Sequence, residues 1–310
     1  MHFVVADIDV AIWVPPVTAF CISFFTSMGG VSGAFLLLPF QVSVLGFSSP
    51  SVSATNQLYN IVAIPGGVFR YFREGRMVWP LTAAVVVGTL PGVVTGTLIR
   101  VKYLPDPRSF KLFVAVVLFY IGGTLVKDLV WPKSKGAGPV FKKQGRPDLS
   151  KSDLSKKEAC TGAGLIMRNC GLFHISFDFN GKTFDVRTPT IMLLCLIVGI
   201  IGGIYGIGGG SIVAPFFVTI FGLPVYVIAG PALMGTFVTS VASVITYQVI
   251  APYYPGMAVA PDWLLGLLFG VGGFAGIYCG ARMQKFVPAK AIKWVLAFCV
   301  FVPAIRYVLG

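Results

Sequence analysis

The sequence predicts an all-α polytopic membrane protein, built from two inverted-topology repeats of interrupted helices and a small cytoplasmic insert that holds a β-hairpin. Three observations favour this fold class. The mean hydropathy of the 310 residues is +0.85 and only 11% are charged, whereas a water-soluble domain has about 25% charged residues. Thirty-seven glycines and 21 prolines predict helices that are interrupted inside the bilayer. Finally, a glycine-rich stretch in the first half of the chain matches one in the second half.

Ten apolar segments follow one another, five on each side of a polar stretch. They cover residues 10–28, 29–47, 52–69, 79–99, 110–130, 190–205, 206–223, 225–250, 263–281 and 291–309. The chain therefore divides into a first transmembrane repeat (1–132), a cytoplasmic insert (133–189) and a second transmembrane repeat (190–310). The first two segments of each group are at or below the roughly 20 residues that a spanning helix needs. Each such pair forms either two tilted crossings or one bent hairpin.

The basic residues predict which side of the membrane each loop faces. Arg70, Arg73 and Arg76 flank one short loop, and 12 of the 24 basic residues lie in 127–189, whereas 251–262 has none. Because cytoplasmic loops are rich in Lys and Arg, we expect an external N-terminus and a cytoplasmic insert in a multi-pass protein of the cytoplasmic membrane. The basic loop 100–111 is the one exception. The net charge of +13 is therefore explained by basic loops on the cytoplasmic side, and we expect no nucleic-acid binding.

The insert combines a flexible first part with a hairpin signal. Residues 176–186 alternate between polar and apolar side chains around Asn180-Gly181, the dipeptide that favours a tight turn between two strands. A small β element is therefore expected, as a passive connector or as a lid or regulatory module.

The two groups of segments align with each other. Residues 29–40 (GGVSGAFLLLPF) fall opposite 205–216 (YGIGGGSIVAPF), and Leu45-Gly46-Phe47 falls opposite Phe221-Gly222-Leu223, a separation of 176 residues. With five segments in each unit, the second copy must be inverted relative to the first. Inverted repeats of broken helices are typical of secondary transporters.

At these residues the chain resembles the sulfite exporter TauE/SafE family of membrane permeases, whose repeats each begin with a G-x-G-G-G…P run. The second copy, from Gly206 to Pro215, fits that run, and the first has Ser32 and Ala34 at two glycine positions. The resemblance covers nearly the whole chain except the insert, which is longer than usual. It implies export of sulfite or an organosulfonate-type anion, and it does not identify the substrate.

The glycine runs predict the binding site. A helix that restarts after a break presents free N–H groups and a positive dipole end, which suit an anion. Amide and hydroxyl side chains on the neighbouring segments add donors. The expected substrate-binding residues are Gly29, Gly30, Ser32, Gly33, Asn56, Gln57, Asn60, Gly206, Gly208, Gly209, Gly210, Ser211, Thr236 and Ser240. The alternative is that these small residues serve tight helix packing alone.

Charged residues at the span ends bear on gating and driving force. Arg70 and Arg100 either attract and gate anions or anchor the helices at the lipid surface. No carboxylate lies inside a span as a proton relay, so we expect export driven by the membrane potential.

Several functions remain as alternatives to a carrier. An anion channel could use the same glycine breaks as a filter, and a scaffold or sensor could use the insert as its output. An enzyme is not expected, because the two histidines, His2 and His174, belong to no catalytic or metal-ligand set. We expect no cofactor or metal; the predicted partners are a small anion and membrane lipid, and the choice between a monomer and a homodimer stays open.

Overall fold

The computed structural model describes residues 1–29, 32–73, 77–130, 165–170, 174–179, 182–221, 223, 225–283 and 289–309. In these residues the helices are α1 (Val14–Gly29), α2 (Ala34–Ser43), α3 (Ser51–Ala63), α4 (Pro65–Arg73), α5 (Trp79–Tyr103), α6 (Pro107–Val130), α7 (Thr188–Tyr205), α8 (Gly209–Ile220), α9 (Val225–Ile250), α10 (Trp263–Met283) and α11 (Ala289–Leu309). The strands are β1 (His2–Phe3), β2 (Ile8–Asp9), β3 (Leu165–Cys170), β4 (His174–Phe179) and β5 (Lys182–Arg187).

Four stretches in the described part of the chain are long and apolar enough to cross a membrane. They are Trp79–Tyr103, Thr188–Tyr205, Val227–Tyr253 and Trp263–Gly280. Shorter apolar helices accompany them, among them Val14–Met28 and Ala34–Ser43. The protein is thus a predominantly helical, polytopic membrane protein, as the hydropathy predicted.

Glycine and proline mark two of the helix boundaries. Gly206 and Gly208 have φ angles of +88° and +78°, which only glycine adopts without strain, and they separate α7 from α8. The predicted single segment 52–69 is wrong, because it divides into α3 and α4 at Pro65. A proline has no N–H to continue the helical hydrogen bonds, so it ends one helix and starts the next.

The insert contributes strands β3, β4 and β5, which form an antiparallel sheet in that order. Phe179 on β4 is paired with Lys182 on β5, which leaves two residues for the connection. Those residues, Asn180 and Gly181, lie outside the described residues, as does 131–164. Strand β3 had no clear signal in the sequence, because its residues do not alternate between polar and apolar side chains.

Several connections meet at one end of the helix bundle, which we call the A end. The Ser51 N–H, at the start of α3, donates a 3.0 Å hydrogen bond to the Ala258 carbonyl in the loop before α10. Arg100, in the last turn of α5, donates through Nη2 to the Ser48 carbonyl at 3.2 Å. The A end therefore contains the start of α3, the end of α5 and the start of α10.

The N-terminal strands cover this A end. The Ala6 N–H donates to Oδ2 of Asp262 at 3.3 Å, and the Asp262 Oδ1 accepts a 3.0 Å bond from the Leu265 N–H in the first turn of α10. Asp262 is only 5% exposed. The carboxylate thus caps α10 and holds the N-terminal segment against it.

Glycines on α5 bring its backbone against α7. Three glycines on α5 are spaced four residues apart. A Cβ on any of them would lie too close to the backbone of α7, and the α7 residues that they face are also spaced four apart. The pairs are Gly88 with Met192, Gly92 with Leu196 and Gly96 with Ile200. The small residues therefore allow contact between the two backbones, and the order of the pairs makes the two helices parallel.

The same arrangement recurs between α10 and α1. Here the pairs are Gly272 with Pro16, Gly276 with Phe20 and Gly280 with Phe24. The α1 residues precede their α7 counterparts by 176 positions, and the α10 glycines follow the α5 glycines by 184. We call these two sets of contacts the glycine ladders. In each, the fourth predicted segment of one group packs on the first segment of the other.

The ladders also give the directions of the helices. Helix α10 begins at the A end, so the parallel helix α1 runs away from that end. Helix α5 finishes at the A end, so the parallel helix α7 runs towards it. Helix α2 leads from the α1 break back to the A-end loop that contains Ser48. In this structure α1 and α2 therefore form a bent hairpin that begins and ends at the A end.

Candidate functional site

The described part of the chain has two glycine-rich helix breaks, one between α1 and α2 and one between α7 and α8. Helix α3 lies between these breaks, and its residue Asn56 bonds to both sides. The Asn56 amide nitrogen donates to the Ala34 carbonyl at 3.1 Å and to the Gly206 carbonyl at 2.9 Å. Ala34 is the first residue of α2, and Gly206 directly follows α7. Both amide hydrogens of Asn56 are therefore used on backbone carbonyls, one at the start of α2 and one in the break that follows α7.

Asn60 acts in the same way one turn further along α3. Its amide nitrogen donates to the Ile207 carbonyl at 3.0 Å, and its Oδ1 lies 3.5 Å from the Ser32 hydroxyl. Asn56 and Asn60 are both fully buried. These two asparagines hold the breaks in place, and their expected role in binding the substrate stays a prediction.

Gln57 differs from both asparagines. Its Oε1 accepts a 2.7 Å hydrogen bond from the Ser240 hydroxyl on α9. Its Nε2 has no hydrogen-bond partner among the described residues, although the side chain is fully buried. A buried amide nitrogen without a partner is costly. Gln57 therefore offers two N–H donors inside the bundle, and they are directed away from Ser240.

The start of α8 packs closely on α9. The Gly209 N–H donates to the Thr239 hydroxyl at 3.2 Å. A Cβ on Gly208 would lie 2.9 Å from Thr236 Cγ2 and 3.0 Å from Ser240 Oγ, and one on Gly210 would collide with the α9 backbone. The glycines of this break therefore have two roles. They allow the positive φ angles of the backbone, and they allow the start of α8 to pack closely on α9.

Hydroxyl groups complete this region. Ser211 donates to the Ile207 carbonyl at 2.9 Å and lies 3.2 Å from the Thr236 hydroxyl. Thr236 itself donates to the Ala232 carbonyl of its own helix at 2.9 Å. Since these hydroxyls have partners within the protein, they shape the site more than they supply free donors.

The structure brings most of the predicted residues into one buried polar region. Gly206, Gly208 and Gly209 meet the predicted side chains of α3 and α9 there. Gly30 lies outside the described residues, and Gly29 ends α1. Gly33 is in the region too, because a Cβ on it would collide with the Tyr59 hydroxyl.

Two further residues of this region, Gln41 and Tyr205, were not among the predicted site residues. The Gln41 amide donates to Asn56 Oδ1 at 3.4 Å, and the Tyr205 hydroxyl donates to the Phe35 carbonyl at 2.9 Å. A glutamine in the otherwise apolar stretch 34–42 was a usable signal, whereas a tyrosine next to a glycine run was not.

The donors of the region are neutral. Among the described residues no group of three or more His, Cys, Asp or Glu side chains could hold a metal ion. The buried carboxylate of Asp262 belongs to the A end, where it accepts hydrogen bonds from the Ala6 and Leu265 N–H groups. An arrangement of amides, hydroxyls and break backbone can bind a small oxyanion by hydrogen bonds without a formal positive charge.

A family model described as Sulfite exporter TauE/SafE matches residues 16–307 of this chain. The chain belongs to the sulfite exporter TauE/SafE family. The match includes both glycine breaks, α3 and α9, so the TauE/SafE resemblance deduced from the glycine runs is confirmed. The match continues across the insert between the two groups of helices.

Two curated relatives of this TauE/SafE protein come from Bacillus subtilis (strain 168). The probable membrane transporter protein YdhB is 31% identical over 117 residues, which is 37% of this chain and 44% of YdhB. The probable membrane transporter protein YunE is 23% identical over 114 residues, or 37% of this chain and 39% of YunE. The matched part spans less than half the length of either relative. No solved structure matches the chain.

Proposed function

We propose that this TauE/SafE protein is a secondary transporter that exports a small sulfur-containing oxyanion, sulfite or an organosulfonate, across the cytoplasmic membrane. The observation that carries the proposal is the Gln57 amide nitrogen, which is fully buried and has no partner among the described residues. It lies on α3 beside Asn56 and Asn60, which hold both helix breaks. A donor in that position is suited to an anion that occupies the site only during transport.

The helix directions support two inverted repeats. Helix α1 leaves the A end while its counterpart α7 approaches it, and each glycine ladder joins helices from both groups. In transporters of this kind the substrate site lies where the repeats meet, near the middle of the membrane. Gln57 on α3 and Ser240 on α9 come from different repeats and are hydrogen-bonded, which agrees with such a location.

The neutral donor set supports an anion as the substrate. The unpartnered Gln57 nitrogen is a hydrogen-bond donor, which suits an anion and not a cation, and the Asn56 and Asn60 side chains already donate to three carbonyls at or beside the breaks. A membrane potential that is negative inside favours the exit of an anion by about 2.3 kcal/mol per charge per 100 mV. Export therefore requires no proton-carrying carboxylate inside the site.

Flux measurements on reconstituted protein test the proposal. Vesicles loaded with sulfite, with acetate as a carboxylate control, receive an inside-negative potassium diffusion potential. We expect faster sulfite efflux that saturates with concentration, and exchange of labelled for unlabelled sulfite. Flux that ignores the potential and needs a proton gradient would contradict potential-driven export. Flux without saturation or exchange would favour the channel, and absence of sulfite flux would contradict the proposed substrate.

A further inference from the structure

Arg100 is a buried arginine that has no acidic partner in the described part of the chain. Its side chain, in the last turn of α5, is fully buried, whereas Lys102 on the same turn is exposed. No carboxylate of the described residues lies within 4 Å of it. Arg100 is therefore not a lipid-surface anchor, which was one of the two roles that the sequence allowed. A buried charge is costly unless something compensates it.

The protein uses only part of the guanidinium. Nη1 donates to the Leu104 carbonyl and Nη2 to the Ser48 carbonyl, and the group lies 3.7 Å from the centre of the Phe110 ring. Nε is buried and has no partner among the described residues. These contacts fix the position of the guanidinium, but they leave its positive charge without a counter-ion and leave a donor free.

A second unpartnered group lies near Arg100. The Tyr247 side chain on α9 is fully buried, and its hydroxyl makes no hydrogen bond in the described part of the chain. Tyr247 packs in one buried cluster with Val101, the residue after Arg100, and Thr97 lies one turn before Arg100 on α5. Thr97 is also 2.9 Å from the Ser243 hydroxyl. A positive charge and several hydroxyl groups are thus grouped below the A-end loops.

Polar groups connect this cluster with the helix break. The Ser53 hydroxyl donates to the Ile204 carbonyl at 3.3 Å, and a Cβ on Gly206 would lie 2.6 Å from Ser53 Cα. Gly206 is in turn bonded by Asn56. Side chains of α3, α5 and α9 therefore give a continuous polar region from Gln57 to Arg100.

We propose that Arg100 and Tyr247 form a second binding position for the transported oxyanion, between the central site and the A end. An anion there would neutralise the guanidinium and accept hydrogen bonds from the free Nε and the Tyr247 hydroxyl. This inference rests on the proposed function, because the ligand is the same anion. Under the predicted orientation the A end is external, so the position is the last one before release.

The test compares sulfite efflux from vesicles that contain the wild type, Arg100→Gln, Tyr247→Phe or the control Lys102→Gln. Removal of a hydrogen bond to a charged group weakens binding by about tenfold or more. We expect Arg100→Gln to raise KM for sulfite at least about tenfold and Tyr247→Phe to raise it severalfold. Lys102→Gln removes a positive charge from the same turn at an exposed position, so its KM should equal that of the wild type.

Tyr247→Phe keeps the test decisive if Arg100→Gln does not fold. Its hydroxyl has no hydrogen-bond partner among the described residues, so a purely structural role predicts unchanged thermal stability and unchanged KM. If both variants fold and both have the wild-type KM, the second binding position is overturned. If Arg100→Gln does not fold, a wild-type KM in folded Tyr247→Phe is enough to overturn it. Sulfite flux by the wild type would still support the proposed transporter. Absence of wild-type sulfite flux would instead overturn the proposed function, and this inference with it.

Discussion

The Ser240 hydroxyl on α9 donates a 2.7 Å hydrogen bond to Oε1 of Gln57 on α3. The bond orients the Gln57 amide: Oε1 faces Ser240 in the other repeat, and Nε2 is left without a partner among the described residues. Both residues are fully buried, so water does not compete for the acceptor. Ser240 thus holds Gln57 with its two N–H groups available to a ligand.

Replacement of Gln57 by leucine should abolish binding without unfolding the protein. Leucine has a similar volume and removes the amide nitrogen that lacks a partner among the described residues, but it also removes the acceptor of the Ser240 hydroxyl. We expect sulfite efflux to fall at least about tenfold, while the free energy of unfolding falls by no more than the roughly 1–3 kcal/mol that an unsatisfied buried hydroxyl costs. Gln248→Leu, an exposed site on α9, is the matched control. Unchanged efflux in Gln57→Leu would show that the free donor is not used.

Asn56→Ala should destabilise the protein more than Asn60→Ala. Asn56 satisfies the Ala34 and Gly206 carbonyls, whereas Asn60 satisfies the Ile207 carbonyl. An unsatisfied buried carbonyl costs about 1–3 kcal/mol, so the free energy of unfolding should fall by at least that amount in Asn56→Ala. Thermal unfolding in detergent measures the order of the two variants. The reverse order would contradict the assignment of Asn56 as the link between the breaks.

The glycine ladders predict paired effects in the two repeats. A methyl group on Gly92 or Gly276 collides with a backbone carbonyl of α7 or α1, respectively. We expect each alanine variant to lose about 1–3 kcal/mol of stability from overpacking. Gly123→Ala on α6 is the control, because no atom lies within 4 Å of its added Cβ, and it should be neutral or slightly stabilising. Equal melting temperatures for all three variants would contradict the ladders.

The predicted orientation can be tested by labelling single cysteines in a variant that lacks the native ones. Val44 and Tyr253 are exposed residues near the A end, at 66% and 78%, and Lys127 is an exposed residue in the last turn of α6. A membrane-impermeant maleimide added to intact cells should label Val44→Cys and Tyr253→Cys but not Lys127→Cys. The opposite pattern would place the A end in the cytoplasm.

Asp106 predicts a pH-dependent contribution to stability. Its Oδ2 accepts hydrogen bonds from the Ser109 N–H at 2.9 Å and the Ser109 hydroxyl at 3.1 Å, at the start of α6. These bonds lower the pKa of the Asp106 carboxyl below its ordinary value. The charged form therefore stabilises the folded state at pH values above the ordinary pKa of about 4, and this contribution is lost as the pH falls through the lowered pKa.

The comparison with Asp106→Asn isolates this effect, since asparagine also caps a helix but does not titrate. The wild type should melt slightly above the variant near pH 7, and the difference should disappear below about pH 4. A difference that stays constant between pH 7 and pH 3 would show that the carboxylate charge does not contribute.

Local signals predicted the breaks and the polar region. Glycine pairs and amide side chains in apolar segments stand out in the sequence, and they do meet around α3. The use of the amides could not be predicted, because the sequence does not show that Asn56 and Asn60 bond to the carbonyls of distant breaks while Gln57 stays free. The burial of Arg100 was equally hidden, since a basic residue at a span end looks the same as an anchor.

The ladders escaped the sequence analysis for a related reason. A G-x-x-x-G-x-x-x-G spacing indicates a face that a helix backbone can approach, but not which helix approaches it. The partners of Gly92 and Gly276 follow from the exchange of segments between the repeats, which is a property of the whole fold. Pro65 is a local signal for the end of α3, but the apolar residues on both sides of it made 52–69 look like one continuous segment.

The ladders also define what can move. Helices α5 and α7 share backbone contacts along three turns, as do α10 and α1, and sliding within either pair would bring carbonyl oxygens into collision with the neighbouring backbone. Each pair should therefore travel as one rigid unit during a transport cycle, although its members come from opposite halves of the gene product. The boundary between the moving bodies then passes through each repeat and not between the two repeats.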